Sequence, residues 1–298
     1  MTQLRFVVDA DYEGATLKGF LRSKCSVSAR MLAKLKRTSN GLLVNGKEVF
    51  ATAVLHRGDR VALTLPDSVN TLAPSPVPVP VLWEDAHLVV FNKPPHMAVH
   101  PSPGNGEDTL ANVARTYAEQ QGEHWAFRPV NRLDKDTSGL VVVAKDGFAA
   151  AKLAGTVYKT YVAVCEGQLS GEGTIDAPIR LKAGHSIQRE TGEGGLPAVT
   201  QWRAIASAQG HTLLGLCLQT GRTHQIRVHM ASFGHPLAGD DLYGGSRELI
   251  SHQALHCNLV KFFHPVSGEA YTVRAPLSED FDLLCRRLFL EKDSLFYR

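Results

Sequence analysis

The run NRLDKDTSG, from Asn131 to Gly139, places charged and hydroxyl side chains in a short segment that leads directly into the apolar stretch LVVVA. Its two carboxylates, Asp134 and Asp136, belong to the residue types that serve as nucleophiles, general bases or stabilisers of positive charge. Loops at the entrance of a buried strand often carry function, although Gly139 could equally close an ordinary surface turn. The run is therefore the first candidate for a catalytic loop.

A second run, QTGRTHQIRVH, begins at Gln219 and continues as MASFGHPLAGDDLYGG. It joins the cations Arg222 and Arg227 to two glycine-containing segments, a mixture that suits a loop cradling an anion and closing over it. The plainer interpretation is an exposed basic strand. We predict that THQIRVHM itself is a strand.

The elements that must position these two runs can also be predicted. Runs rich in β-branched residues predict strands at WEDAHLVVFNKP, LVVVAKD, YKTYVAVCEG and EAYTVRAPL, and TLANVARTYAEQ predicts a helix. Strands and helices do not alternate regularly. We therefore expect an α+β fold, with a mixed, largely antiparallel sheet and flanking helices, and not a doubly wound parallel sheet.

The chain carries an uneven charge. Its net charge is only +3, but the segment 14–65 contains ten Lys and Arg residues against two acidic ones. On a predicted helix of this segment Arg30, Lys34 and Arg37 follow at i, i+4 and i+7, which gives them one exposed face suited to phosphates. A polyanion partner is therefore expected, although a well-solvated basic surface is the alternative.

The basic segment has the pattern of a small α+β domain over residues 1–65. Two helices, the second capped by Ser28, precede a strand, a turn at Asn45-Gly46 and another strand. Alternating prolines in PDSVNTLAPSPVPVPVL then predict an extended linker at 66–82, which leaves 83–298 for the catalytic domain.

Composition excludes several classes of protein. No apolar run approaches the roughly 18 residues of a membrane span, and the start lacks the features of a secretory signal, so we expect a cytosolic protein without a membrane partner. The five cysteines are scattered and never spaced C-x-x-C, which argues for reduced thiols and against a thiolate zinc site. Nucleotide and nicotinamide fingerprints and H-E-x-x-H are missing, so no cofactor is expected.

From about 83 to 281 the chain resembles the RluA/RluD family of pseudouridine synthases in six separate blocks. These are NKPP with VHP, NRLDKDTSGL, YKTYVA, TGRTHQIRVH, ALH and HPVSGE. About fifty residues of the basic segment, with a V-N-G turn and a later R-G-D, resemble the S-four-type RNA-binding domain. The resemblance implies an isomerase that detaches the base of a uridine in RNA and rejoins it to the ribose through carbon 5.

The family resemblance also implies the roles of individual residues. Asp134 corresponds to the catalytic carboxylate, Tyr161 to an aromatic residue that stacks on the base or assists proton removal, and Arg222 to the guanidinium that holds Asp134 in its ionised form. Arg132 is expected to contact the RNA backbone or to fill the space left by an extruded uridine, with bracing of the loop as the alternative. Asn131 stands where the family usually has histidine, which puts a supporting hydrogen bond in doubt.

The RNA partner is less closely defined. We expect 23S ribosomal RNA more than transfer RNA, bound in part by the N-terminal cations Arg30, Lys34, Arg37 and Lys47, and we expect a monomer. A tRNA-directed synthase and a non-catalytic RNA-binding or ribosome-assembly protein are the alternatives. A glycosidase-like hydrolase would use Asp134 and Asp136 as a carboxylate pair, but residues two apart on one loop need not face each other.

Metal binding is a further alternative, because His224, His229 and His235 lie close together in the sequence. On the predicted strand His224 and His229 are an odd number of residues apart, so they would point to opposite faces. Structural or RNA-contacting histidines are therefore favoured, and no bound metal is expected.

Overall fold

The computed structural model describes residues 3–65, 70–102 and 106–289, and in these ranges no helix is long and apolar enough to span a membrane. The first part of the chain forms a four-stranded antiparallel sheet with two short helices. Its elements are β1 (Gln3–Val7), α1 (Leu17–Ser23), α2 (Ala29–Leu35), β2 (Leu42–Val44), β3 (Lys47–Glu48) and β4 (Arg60–Thr64). The strands lie in the order β1-β4-β2-β3.

Local sequence explains these elements. The hydroxyl of Ser28 accepts the amide of Met31 at 3.1 Å, which confirms the predicted cap of α2. Asn45 and Gly46 have φ of 52° and 80°, the left-handed values of a tight hairpin turn. The predicted order of helix, helix, strand, turn and strand is confirmed, and β1 is an additional strand. Positions 1–2 of the predicted domain lie outside the described residues.

The small sheet packs on the rest of the chain through an aromatic contact. Phe148 belongs to the same apolar cluster as Phe20 and Leu63 of the N-terminal unit. Its ring lies 6.4 Å from that of Phe6 in an edge-to-face arrangement. The N-terminal unit therefore packs against the segment that contains Phe148.

The predicted linker is fastened to a helix. Positions 66–69 lie outside the described residues, 70–80 contain no helix or strand, and the last two positions already belong to a strand. The Asn70 side chain donates to the carbonyl of Ala111 at 2.9 Å, and Asn112 donates back to the carbonyl of Ala73 at 2.8 Å. Prolines exclude helix from this stretch, as predicted, and side-chain hydrogen bonds fix its path.

The larger unit is built on a ten-stranded sheet with four helices. In chain order its elements are β5 (Val81–Glu84), β6 (Leu88–Lys93), α3 (Leu110–Gln120), β7 (Arg128–Pro129), β8 (Ser138–Ala144), α4 (Gly147–Leu153), β9 (Tyr158–Glu166), β10 (Glu172–Asp176), β11 (Ile179–Leu181), β12 (Arg189–Thr191), β13 (Val199–Ala208), β14 (His211–Leu218), α5 (Gln225–Ser232), β15 (Leu255–Phe263), β16 (Ala270–Arg274) and α6 (Glu279–Phe289). Residues 290–298 of the predicted catalytic domain lie outside the described residues.

The strand order of the large sheet is β10-β13-β14-β9-β15-β8-β6-β5, with β16 paired to β15 and β7 paired to β8. All of these pairs are antiparallel except β15 with β8, so the predicted mixed, largely antiparallel α+β architecture is confirmed. The strands β11 and β12 form a separate hairpin. The two faces of the sheet are covered by different helices, because α5 packs against Trp202 and α6 packs against Val162.

One element differs from its prediction. QIRVHM is the helix α5 and not a strand, although its β-branched residues favour one. All six residues from Gln225 to Met230 are buried, so this helix is enclosed on all sides and is not amphipathic. Gln225 secures the start of the helix, because its side-chain oxygen accepts the amide of Arg222 and the hydroxyl of Thr220 at 2.9 Å each.

Candidate active site

The candidate catalytic loop connects β7 to β8, as the sequence predicts. Its start is fixed by Asn131, which is buried. The Asn131 amide nitrogen donates to the carbonyl of Leu140 at 3.0 Å, and its oxygen accepts the amide of Val142 at 2.9 Å. The residue that departs from the family's usual histidine therefore makes structural hydrogen bonds to the neighbouring strand.

The end of the loop is fixed by a close approach of two strands. Gly139 has φ of +111°, and a Cβ built on it would lie 2.3 Å from the carbonyl oxygen of Cys257 in β15. Only glycine fits this position without moving the backbone. The hydroxyl of Ser138 next to it pairs with Nδ1 of buried His256 at 2.9 Å.

A buried lysine holds the middle of the loop. Lys93, at the end of β6, is 0% exposed and donates to the carbonyls of Pro94, Met97 and Lys135 at 2.8 to 2.9 Å. Burial lowers the pKa of its ammonium to about 7, against the opposing effect of the two loop carboxylates. Because Lys135 follows Asp134 directly, this lysine fixes the backbone that carries the candidate carboxylate.

Asp134 lies against Arg227 of α5. Nη1 of Arg227 is 3.3 Å from Oδ2 of Asp134, whose side chain is 27% exposed. The same guanidinium donates twice to the fully buried Asp240, from Nε at 2.7 Å and from Nη2 at 2.8 Å. This two-point contact fixes the plane of the guanidinium, so one group is left to face Asp134.

The charges of this cluster support one another. Burial alone lowers the pKa of Arg227, but the hydrogen bonds and charge of Asp240, with a further contribution from Asp134, outweigh it and raise the pKa above its ordinary value. The guanidinium also lies over the ring of Tyr243, 5.0 Å from its centroid. Arg227 is therefore a permanent cation beside the candidate carboxylate.

A histidine completes this side of the site. His224 precedes α5 with a left-handed backbone, φ of 56°, and its Nε2 lies 4.0 Å from Oδ2 of Asp134. Its Nδ1 pairs with the hydroxyl of Tyr243 at 2.8 Å. Burial lowers the pKa of His224, an effect that Asp134 opposes. The imidazole is thus neutral near pH 7.

Tyr161 lies in β9 and is 5% exposed, beside Cys257 of β15. Burial raises the pKa of its phenol well above the ordinary value, with smaller contributions from Cys257 and from the negative charge of Asp134. The hydroxyl therefore stays protonated near neutral pH.

The expected pairing of Asp134 with Arg222 is wrong. Arg222 is exposed, its Nε donates to the carbonyl of Pro197 at 2.9 Å, and no ion pair joins it to Asp134 in the part of the chain described here. The physical reason is the helix: Arg222 lies before α5, on the exposed loop, whereas Arg227 is the third residue of α5 and is buried. The motif contains two arginines, and the second is the one that contacts Asp134.

The loop residues on either side of Asp134 point elsewhere. Oδ1 of Asp136 pairs with Nδ1 of His96 at 3.0 Å, so the two carboxylates contact different partners and the geometry gives no support to a glycosidase-like pair. Arg132 is exposed, and its charge adds to burial in lowering the pKa of His100. Its guanidinium is thus available to a ligand at the rim of the site.

The predicted basic face of the N-terminal unit is present as a set of exposed side chains. Arg30 and Lys34 lie on α2, Arg37 just after it, and Lys47 on β3. These residues belong to a different unit from Asp134, so they can contribute to binding but not to chemistry at that carboxylate.

The three histidines of the metal alternative are each paired with protein groups. His224 contacts Tyr243, His229 contacts the hydroxyl of Thr200 and a backbone carbonyl, and His235 contacts the carbonyl of Glu166. Among residues 3–65, 70–102 and 106–289 no group of three or more His, Cys, Asp or Glu is arranged to hold a metal. The expected opposite orientation of His224 and His229 on a strand does not apply, because the segment is helical.

Three residues of the site were missed by sequence reasoning. Asp240 and Tyr243 come from the segment GDDLYGG, and their acidic and aromatic types close to the arginine motif were the available signal. Lys93, from the NKPP block, could be recognised only by its burial. Together the loop and α5 present a carboxylate held by a fixed cation, with an aromatic residue nearby, which suits stabilising or trapping positive charge on a bound substrate.

Most of the site lies within a range of the chain that matches a known protein family. Residues 87–232 match the model of the RNA pseudouridylate synthase family. This range contains Asp134, Tyr161 and Arg227.

Individual relatives extend the similarity over almost the whole chain. The chain is 37% identical over 295 residues to a Bacillus subtilis protein named uncharacterized RNA pseudouridine synthase YhcT, covering 96% of this chain and 97% of that protein. It is 37% identical over 270 residues to the ribosomal large subunit pseudouridine synthase D of Xanthomonas campestris pv. campestris, covering 84% of this chain and 82% of that protein.

A solved structure shows a related architecture. Human RNA pseudouridylate synthase domain containing 1 is 25% identical, covers 67% of this chain and 84% of its own, and superimposes with a TM-score of 0.55.

Proposed function

This chain belongs to the RluA/RluD-type RNA pseudouridine synthase family and is an isomerase, and from that premise we propose that Asp134 is its catalytic carboxylate and ribosomal RNA its substrate. The observation that supports the assignment of Asp134 is its contact with Arg227 at 3.3 Å. A carboxylate that must stay ionised beneath a bound nucleotide needs such a cation, because burial without one would favour the neutral acid.

The reaction detaches uracil from carbon 1′ of the ribose, turns it and rejoins it through carbon 5. In our proposal Asp134 stabilises or traps the positive charge that develops at carbon 1′ when the glycosidic bond breaks. Arg227 contacts and orients the carboxylate, and Asp240 keeps Arg227 in place. The neutral imidazole of His224, whose Nε2 is 4.0 Å from Oδ2 of Asp134, is a second polar group beside the same carboxylate.

Tyr161 is proposed as the surface on which the uracil ring lies while it turns. A flat aromatic ring can retain a detached base through stacking. Because burial raises the pKa of its phenol, the hydroxyl is protonated and available as a hydrogen-bond donor to the base. Arg132 and Arg222, both exposed on loops at this site, are proposed to contact the RNA backbone and offset the cost of extruding the uridine.

The N-terminal unit is proposed to be an S-four-type RNA-binding domain that grips phosphates with Arg30, Lys34, Arg37 and Lys47. Large-subunit ribosomal RNA is favoured as substrate by the names of relatives such as synthase D of Xanthomonas campestris pv. campestris. Transfer RNA is the alternative outcome of the test. A monomer in the cytosol, with no cofactor, stays a prediction.

The decisive experiment maps pseudouridines in total RNA from cells that lack the gene and from the same cells supplied with the wild-type protein. We expect one or a few uridines of large-subunit ribosomal RNA to lose their modification and to regain it on complementation. A lost site in transfer RNA would change the substrate. An unchanged map, together with no pseudouridine formation by the purified protein on RNA from the deleted cells, would overturn the proposal.

A further inference from the structure

The hairpin of β11 and β12 stands beside the active site. The side chain of Gln188 donates to the carbonyl of Leu242 at 3.0 Å, and the backbone amide of Arg189 donates to the hydroxyl of Tyr243 at 2.9 Å. Ile179 of the hairpin packs on Val228 of α5. The hairpin is thus docked on the elements that hold Arg227 and His224.

Among the described residues, Nε of Arg189, the first residue of β12, has no hydrogen-bond partner. Its Nε is buried and makes no hydrogen bond, and none of the ion pairs within the described ranges involves it. A buried donor left unpaired costs about 1 to 3 kcal/mol, and more when the group is charged, so such a donor is normally paired in the working molecule.

The position of Arg189 places its charge near the reacting centre. Tyr243 links its backbone to His224, and His224 faces Asp134, so Arg189 is two side chains away from the candidate carboxylate. Its charge contributes, after burial and Arg227, to the low pKa of His224. The charge of Arg189 therefore acts on His224, the residue that faces Asp134.

Arg227, the other cation near His224, already has carboxylate partners. Arg227 is paired with Asp240 and Asp134, whereas Arg189 forms no ion pair with a carboxylate in the part of the chain that the structure describes. The planar fork of a guanidinium matches two oxygens of a phosphate, and an RNA substrate brings phosphates on both sides of every uridine. We infer that Arg189 is a substrate-binding residue that takes a backbone phosphate next to the target uridine. This inference rests on the proposed function.

The experiment compares the purified full-length wild type with Arg189→Ala, Arg189→Lys and the matched control Arg203→Ala. Arg203 lies on β13, pointing to the sheet face opposite Trp202 and α5; it is exposed and forms no ion pair with any residue in 3–65, 70–102 or 106–289. The RNA is total RNA from cells lacking the gene, so that the target uridine is unmodified. Affinity at several salt concentrations, KM and kcat are measured, with thermal unfolding as a check of the fold.

For Arg189→Ala we expect affinity to fall and KM to rise about tenfold or more, with kcat changed much less, because a charge-assisted hydrogen bond to phosphate is lost. The slope of log affinity against log salt should decrease by about one, the signature of one phosphate contact. Arg189→Lys keeps the charge but not the fork, so its affinity should be intermediate with a wild-type slope. Arg203→Ala should match the wild type.

Equal affinity, KM and salt slope in Arg189→Ala and Arg203→Ala would overturn the inference. So would a loss confined to kcat. If Arg189→Ala does not fold, the result for Arg189→Lys is used instead. Wild-type affinity and KM in Arg189→Lys would then contradict the proposed two-point contact between the guanidinium and a phosphate. If the proposed function is wrong, the wild type itself forms no pseudouridine. If only the inference about Arg189 is wrong, the wild type is fully active and Arg189→Ala binds RNA as the wild type does.

Discussion

The guanidinium of Arg227 lies 3.3 Å from the carboxylate of Asp134, close enough to hold it and longer than either of its bonds to Asp240, at 2.7 and 2.8 Å. The shorter contacts fix the arginine, and the longer one leaves Asp134 able to turn towards a substrate. We therefore expect Arg227 to act as a supporting group and Asp134 as the group that contacts the substrate.

Arg227→Lys should lower kcat by about a hundredfold, because an ammonium cannot hold Asp240 at two points and orient Asp134 at the same time. Arg222→Lys, in the same motif, should leave kcat within about threefold of wild type, because Arg222 donates to the carbonyl of Pro197 and lysine keeps the positive charge proposed to contact the RNA backbone. Single-turnover rates on RNA from cells lacking the gene measure both. Equal losses in the two variants would mean that Arg222 acts at the reacting centre after all.

Asp134→Asn should lower isomerisation at least about a thousandfold while the protein stays folded, since the side chain is partly exposed and asparagine keeps its shape. Asp136→Asn is the matched control, because Asp136 pairs with His96 and not with the Arg227 cluster. Counting pseudouridines at the mapped site gives the result. Substantial turnover by Asp134→Asn would remove the catalytic assignment, and release of free uracil by the wild type would indicate hydrolysis.

The candidate catalytic loop could be predicted from the sequence because its residues are contiguous. Asp134 and the apolar strand that follows it lie in one run of the sequence, so the candidate carboxylate and the strand that positions it can be recognised together. The strands β6, β8, β9 and β16 and the helix α3 were also predicted, because apolar pattern and length agree there, whereas the strands from β10 to β15 were not.

The partner of Asp134 could not be chosen from the sequence alone. Arg222 and Arg227 are five residues apart, and which one faces the loop depends on whether the segment is a strand or a helix. Ile226 and Val228 favour a strand by propensity, but the segment is a helix buried on all sides, so its apolar residues show neither helical nor strand periodicity. The buried contacts of Lys93 and Asp240 depend on long-range packing, which local pattern does not contain.

A substitution of Asn131 tests whether this residue stabilises the fold without taking part in the reaction. Its amide pairs with both a carbonyl and an amide of β8, so Asn131→Ala leaves two buried backbone groups unpaired. We expect the free energy of unfolding to fall by about 2 to 4 kcal/mol, while turnover per folded molecule below the unfolding transition stays within about fivefold. Urea titration and initial rates at low temperature measure the two quantities. Unchanged stability with lost turnover would instead give this position a direct part in the reaction.

His256 should make the protein sensitive to acid. It is 0% exposed, and burial lowers the pKa of its imidazole to about 4 from the ordinary 6.5. Between these two values the unfolded chain binds a proton that the folded chain does not, so stability decreases as the pH falls through this window. The contribution of this one group amounts to about 3 kcal/mol lost between pH 6.5 and pH 4.

His256→Asn keeps a polar atom for Ser138 and cannot titrate in this range. Its free energy of unfolding should be lower than that of the wild type at pH 7, because the smaller side chain packs less well, but it should fall by about 3 kcal/mol less on going to pH 4. His185→Asn, at an exposed position of the hairpin loop, should reproduce the wild-type curve. Urea titrations at a series of pH values give the slopes, and parallel curves for the wild type and His256→Asn would show that the buried imidazole does not govern the acid response.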